Sequence, residues 1–87
     1  MSTLGTYGLP MIDPEGPEPL YHQMAAVLRG RIERGELPPN RPIPSALALQ
    51  QEFGVARGTA LRAVALLRQE GLVRTVPGRG TYVVGKP

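Results

Sequence analysis

The sequence contains no cysteine, which excludes disulfide bridges and thiolate metal sites. Its one histidine, His22, has no other strong ligand to join it, so a surface or packing role is expected rather than catalysis or metal binding. No pair of carboxylates stands in a recognisable catalytic arrangement. We therefore expect a protein that is not an enzyme and that holds neither a cofactor nor a metal.

Long apolar stretches are also missing. No run of about 18 apolar residues occurs, so no membrane-spanning helix is predicted. The N-terminus lacks the basic segment and apolar core of a signal peptide. The absence of cysteine fits a reducing compartment, and we expect a cytoplasmic protein. The 87 residues suffice for one small domain with a modest core.

Acidic residues are scarce in the second half of the chain. Residues 53–87 contain six basic residues and one acidic residue, a net charge of +5, whereas residues 1–52 carry a net charge of −2. Nine of the ten basic residues are arginine, which suits bidentate contacts to phosphate and guanine. A one-sided basic region is typical of a polyanion binder, although scattered arginines can equally form a solvated surface.

Residues 45–64 have helix-turn-helix spacing. Ser45 can cap a first helix, and Gly54 can adopt the left-handed conformation that ends it. A second helix is predicted from about Arg57 to Gln69, with an apolar face made of Ala60, Ala63, Val64 and Leu67. Such a unit usually lays its second helix in the DNA major groove, but the bare pattern fits a plain helical hairpin equally well.

The segments before this unit are a tail, a helix and a connection. Residues 1–17 are rich in glycine and proline and predict a flexible tail. A helix is expected from about Pro19 to Arg34, with an apolar stripe that includes Met24 and Leu28. A proline-rich connection follows, in which Ile43 can form a short edge strand.

Two short strands are predicted after the second helix of the unit. They cover residues 72–76 and 81–84, joined by a turn in which Pro77 and Gly78 suit the central positions. Arg79 lies between two glycines, which allow close approach of the backbone to a phosphate. The expected fold is mainly α with a small β-hairpin, a winged helix-turn-helix over residues 18–84. Residues 85–87 form a C-terminal tail.

Six short stretches form a recognisable pattern over about residues 19–84. They are Pro19-Leu20-Tyr21-His22-Gln23, Gly35-Glu36-Leu37-Pro38-Pro39, Pro44-Ser45, Phe53-Gly54-Val55-Ala56-Arg57-Gly58-Thr59, Glu70-Gly71-Leu72-Val73 and Gly78-Arg79-Gly80-Thr81-Tyr82-Val83. In these stretches the chain resembles the DNA-binding domain of GntR-family bacterial transcription regulators. The resemblance implies a sequence-specific regulator, by default a repressor, that binds double-stranded operator DNA, usually as a homodimer. The candidate DNA-binding residues are Ser45, Ala56, Arg57, Gly58, Thr59, Leu61, Arg62, Gly78, Arg79 and Gly80.

The chain departs from the family pattern at three places. Ala46 and Leu47 follow the Pro-Ser pair where the family often has Glu-Arg, and Leu61 stands where it often has arginine. Leu61 cannot hydrogen-bond guanine, although it could contact a thymine methyl. Family members normally continue into an effector-binding domain, whereas this chain ends after the wing, so we expect it to bind no small-molecule effector alone.

A helical wheel of the second helix places Arg62 on the face opposite the apolar residues. This position predicts a phosphate contact for Arg62, and Arg57 is expected to contact phosphate or a base. The competing hypothesis is a winged-helix module for protein–protein interaction, with Leu47 and Leu61 as exposed apolar contacts. The operator sequence and the regulated genes cannot be read from the chain.

Overall fold

The computed structural model of the chain describes residues 12–85. Three α-helices come first, α1 (Leu20–Glu33), α2 (Ala46–Phe53) and α3 (Arg57–Gln69), followed by two strands, β1 (Val73–Val76) and β2 (Gly80–Val83). The predicted winged helix-turn-helix is thus confirmed. The predicted tail residues 1–11 and 86–87 lie outside the described residues. None of the helices within residues 12–85 is long and apolar enough to cross a membrane.

The core lies where the three helices meet the hairpin. The predicted apolar face of α3 is buried along its whole length, through Ala60, Ala63, Val64 and Leu67. Met24 and Leu28 of α1 pack against this face, and the small alanines allow close approach of the two helices. Burial of this stripe fixes the rotation of α3 and therefore decides which of its residues face outward.

The two strands form an antiparallel hairpin in which Val73 pairs with Val83 and Val76 pairs with Gly80. Each strand starts within one residue of its predicted position. Val83 and Val73 are buried, so the base of the hairpin is anchored in the core while its tip projects.

The proline-rich connection adds a third segment to this sheet. Pro42 pairs with Tyr82 in an isolated bridge, flanked by hydrogen bonds of 2.9 Å from Ile43 N–H to the Thr81 carbonyl and from Val83 N–H to the Arg41 carbonyl. The bridge is centred on Pro42 rather than on Ile43 as predicted. Proline fits there because the central position of such a bridge needs no N–H of its own.

The last residues of the predicted N-terminal tail contact α1. Buried Gln23 accepts from Asp13 N–H and donates through Nε2 to the carbonyl oxygens of Asp13 (3.0 Å) and Glu18 (2.7 Å). Ile12 packs against the core cluster. Residues 12–17 are therefore held to the start of α1, whereas the boundaries of the tail and its flexibility stay a prediction.

Candidate nucleic-acid interface

The turn between α2 and α3 is set by local backbone chemistry. Ser45 caps α2 by accepting a 3.1 Å hydrogen bond from Ala48 N–H, as predicted. Gly54 ends α2 in the left-handed conformation, with φ 66° and ψ 37°, and its N–H donates to the Gln50 carbonyl at 2.8 Å. Only glycine adopts that conformation without steric cost. These two residues therefore determine where α2 begins and where the chain turns into α3.

The N-terminus of α3 is open. Its capping position is Ala56, which has no side chain able to accept from the first N–H groups of the helix. Ala56, Arg57 and Gly58 are exposed, and Thr59 is half-buried. Unsatisfied N–H groups and the helix dipole favour an anion at this end. A DNA phosphate is an anion that could approach it.

The hairpin tip is a tight turn whose last residue is Arg79. Arg79 N–H donates to the Val76 carbonyl at 2.9 Å, and Gly78 has φ 75°, as the predicted turn requires. Gly80 also has positive φ, at 123°. Arg79 and its two glycine neighbours are exposed. The Arg79 side chain is therefore accessible from solvent at this end of the hairpin.

A groove joins α3, the entrance to α2 and the wing. Its volume is about 330 Å³, and its lining includes Ser45, Leu61, Arg68 and Arg79. Leu61 is exposed over 45% of its surface. The structure therefore brings four side chains from three elements to one face, and three of them are among the sequence-predicted site residues.

Ion pairing separates the arginines of the chain into two groups. Within residues 12–85, Arg29 pairs with Glu70, Arg31 with Glu52 and Arg34 with Glu36. The remaining described arginines form no ion pair with a described residue, and they are Arg41, Arg57, Arg62, Arg68, Arg74 and Arg79. Five of these six belong to α3 or the hairpin. Uncompensated positive charge is thus concentrated on the helix and wing that form the candidate interface.

Arg62 is exposed, as the helical wheel predicts, but its side chain lies against α1. Its guanidinium carbon lies 4.3 Å from the ring centroid of Tyr21 on α1, a cation–π arrangement. The side chain is therefore directed toward α1 rather than toward the groove between α3 and the wing. The guanidinium packs on Tyr21 while the residue stays exposed, and the phosphate contact predicted for Arg62 stays a prediction.

Arg68 was missed by the sequence reasoning, although it lines the groove beside Leu61. The helical repeat could have identified Arg68, because it follows Leu61 by seven positions. Residues seven apart lie only about 20° from one another around the helix axis. Arg74 was also missed, and it shares a shallow depression on the hairpin with Arg79 and Tyr82. Its position could have been read from strand alternation only after the register of the hairpin was known.

Comparisons with known proteins identify relatives over this same region. The profile of the family described as "Bacterial regulatory proteins, gntR family" matches residues 20–83. The HTH-type transcriptional repressor NagR of Bacillus subtilis is 39% identical over 72 residues, which are 83% of this chain and 30% of that protein. The mannosyl-D-glycerate transport/metabolism system repressor MngR of Escherichia coli is 44% identical over 68 residues, which are 78% of this chain and 28% of that protein. The chain thus spans less than a third of the length of these relatives.

Solved structures resemble the fold over most of its length. The DNA-binding domain of AraR in complex with operator ORX1 superimposes with a TM-score of 0.75 at 35% identity, covering 80% of this chain and 90% of that one. YtrA from Sulfolobus acidocaldarius, a GntR-family transcription factor, gives a TM-score of 0.80 at 32% identity, covering 91% of this chain and 83% of that one. Because sequence and fold agree over most of the chain, it belongs to the GntR family of bacterial regulatory proteins and contains that family's winged helix-turn-helix domain.

Proposed function

We propose that this chain binds operator DNA sequence-specifically and regulates transcription, acting as a repressor in the cytoplasm. The observation that carries the proposal is the segregation of arginines, since those of α1 are paired with carboxylates while those of α3 and the wing are not. An unpaired basic face around an open helix N-terminus has the electrostatics that a DNA backbone requires. The operator-bound AraR domain, with its similar fold, supports the same conclusion.

In this proposal α3 and the wing contact different parts of the DNA. The start of α3, with Arg57, Gly58 and Thr59, enters the major groove, where base edges carry the sequence information. The tip of the wing, around Arg79, contacts the adjacent minor groove or backbone. Phosphate contacts position the domain on the duplex without specifying sequence. In this arrangement Arg68 of α3 joins the phosphate contacts from the groove side.

The proposal predicts that Arg57 and Arg79 together supply much of the affinity for DNA. A duplex would first be selected from a random pool with the 87-residue chain and then titrated by fluorescence anisotropy. The double variant Arg57→Ala/Arg79→Ala is expected to bind it at least tenfold more weakly, because each charged contact contributes roughly 1 kcal/mol or more. The matched control is Arg34→Ala, which removes an arginine already paired with Glu36 on an exposed surface. Equal affinity of the double variant and the control would contradict the assignment.

Two copies of the chain are proposed to occupy one operator as a homodimer on DNA. Half-sites of helix-turn-helix dimers lie about 34–36 Å apart, or a multiple of that spacing. Sequences selected from the random pool should therefore contain two inverted half-sites. Selected sequences that contain only one half-site would indicate that one copy of the chain binds alone. We further propose that the 87 residues bind no small-molecule effector, which isothermal titration against candidate metabolites would test.

A protein-interaction module is the second candidate function, and two exposed leucines favour it. Leu47 on α2 is exposed over 59% of its surface and Leu61 on α3 over 45%. The family resemblance implies that other members often have arginine at both positions. The two functions are separated by amide chemical shifts. Movement of α3 and wing signals on addition of a short duplex supports DNA binding, whereas an unchanged spectrum at saturating duplex supports the interaction module.

A further inference from the structure

Leu61 lies in the candidate interface, but its side chain can form no hydrogen bond. It lies one turn into α3, among the residues that line the groove between that helix and the wing. The base of the groove is apolar, formed by Ile43 and Val64, both of which are almost fully buried. An exposed leucine beside these apolar neighbours offers surface that can cover a methyl group, and its own side chain makes no polar contact.

The rim of the same groove is basic. Arg68 and Arg79 line it from α3 and from the wing, and neither is paired with a carboxylate among residues 12–85. The partner that fits must therefore present negative charge at its edges and a small apolar group between them. Duplex DNA has this pattern, because phosphates flank a major groove in which the thymine C5-methyl is the exposed apolar group.

The other base edges suit Leu61 poorly. Guanine presents two acceptors, adenine an acceptor and an amino donor, and cytosine an amino donor, and each would lose water against the leucine without gaining a hydrogen bond. Thymine also has an acceptor, O4, but only thymine offsets that loss with a methyl contact. Cytosine also lacks the methyl group. Resting on the proposed function, we infer that Leu61 is a specificity-determining residue that selects thymine at one position of each half-site through its C5-methyl group.

The inference is tested by removing that methyl from the DNA. Each thymine of the selected half-site is replaced in turn by deoxyuridine, which keeps every hydrogen bond of the base pair. For the unaltered chain, one position should show an affinity loss of about fourfold, the effect expected for one buried methyl group. In Leu61→Ala the loss at that position should shrink to less than about twofold, because little apolar surface remains to cover the methyl.

Two further variants complete the test. Leu47→Ala removes the other exposed leucine, which does not line the groove, and it should leave the deoxyuridine effect at that position unchanged. Leu61→Arg should shift a repeated selection from thymine to guanine at the same position, since arginine forms a bidentate contact with guanine.

The possible failures are distinct from one another. If no duplex is enriched, the proposed function falls and the inference falls with it. If a duplex is enriched but no deoxyuridine lowers affinity, or if Leu61→Ala keeps the full effect, DNA binding stands and the role of Leu61 is overturned. Enrichment of duplexes without thymine in the half-site would also overturn the role of Leu61 while DNA binding stands.

Discussion

At the scale of single residues, Gly58 is a glycine that the fold does not require. It lies in the first turn of α3, its φ is not positive, and a Cβ built there would meet no atom within 4 Å. Glycine in the middle of a helix nevertheless costs roughly 0.5–1 kcal/mol of stability relative to alanine, which is the upper limit for a position in the first turn. Because nothing within the fold explains a glycine at this position, we infer that a binding partner comes close to the backbone of the first turn. A DNA strand approaching the open helix N-terminus is such a surface.

Replacing Gly58 with alanine should therefore separate stability from binding. Gly58→Ala is expected to raise the free energy of unfolding by up to about 1 kcal/mol, because it removes the entropy cost of glycine in a helix. The added methyl should lower DNA affinity by keeping the strand away from the helix. Urea unfolding followed by circular dichroism and anisotropy with the selected duplex measure the two effects.

Gly54→Ala is the matched control for this experiment. Its Cβ would also meet no atom within 4 Å, but φ is 66°, so alanine there is strained. We expect it to lower the free energy of unfolding by roughly 1–2 kcal/mol. A Gly58→Ala variant that binds DNA as tightly as the unaltered chain would show that close approach is not the reason for this glycine.

At the scale of elements, α1 positions the other two helices without taking part in the proposed interface. Arg29 contacts Glu70, just after α3, through Nε–Oε1 (2.9 Å) and Nη2–Oε2 (2.8 Å). Arg31 pairs with Glu52 of α2 and lies over the Phe53 ring at 5.5 Å. One helix thus contacts both members of the helix-turn-helix unit through bidentate pairs whose planar geometry restrains orientation.

The pair between Arg29 and Glu70 should give the fold a small dependence on pH. The hydrogen bond from Arg29 lowers the pKa of Glu70 below its ordinary value of 4.5. The stabilisation is therefore complete above that value and is lost as pH falls through the lowered folded-state pKa. Because both side chains are about one-third exposed, solvent screening limits the contribution to less than about 1 kcal/mol.

Glu70→Gln tests this pair. The variant should unfold at slightly lower urea concentration than the unaltered chain at neutral pH, and the difference should shrink as pH falls from about 5 to 3. Glu15→Gln is the control, since its side chain forms no ion pair with residues 12–85. A Glu70→Gln difference that stays constant over this pH range would mean that the lost stability comes from packing rather than from charge.

At the scale of the whole molecule, the features that the sequence predicted are those with local causes. Ser45 and Gly54 act within one helical turn, and the burial of Leu67 follows from the helical repeat. The contact that Arg62 makes was not predictable in this way, because its partner Tyr21 lies 41 positions earlier in the chain. A wheel of α3 alone assigns Arg62 to the outer face and contains no information about the helix that packs beside it.

The charge division of the chain is the second property of the whole molecule, and the structure sharpens it. The sequence predicts a positive second half, but Glu70 lies within that half and neutralises Arg29 from the first. The single acidic residue of the second half is thus paired with an arginine of α1. The candidate interface is therefore more positive than the net charge of residues 53–87 indicates. Salt dependence of DNA binding measures this property directly, because each phosphate contact releases condensed counterions.

The salt dependence of DNA binding can be tested at Arg68, whose proposed phosphate contact follows from its place in the groove and not from the sequence pattern. If it contacts phosphate, Arg68→Ala should reduce the slope of log affinity against log salt concentration by about 0.9. Arg34→Ala removes the same formal charge from a residue paired with Glu36 and should leave the slope unchanged. Equal slopes for the unaltered chain and Arg68→Ala would exclude the phosphate contact. A reduction shared by both variants would instead mean that net charge, rather than the groove between α3 and the wing, determines the affinity for DNA.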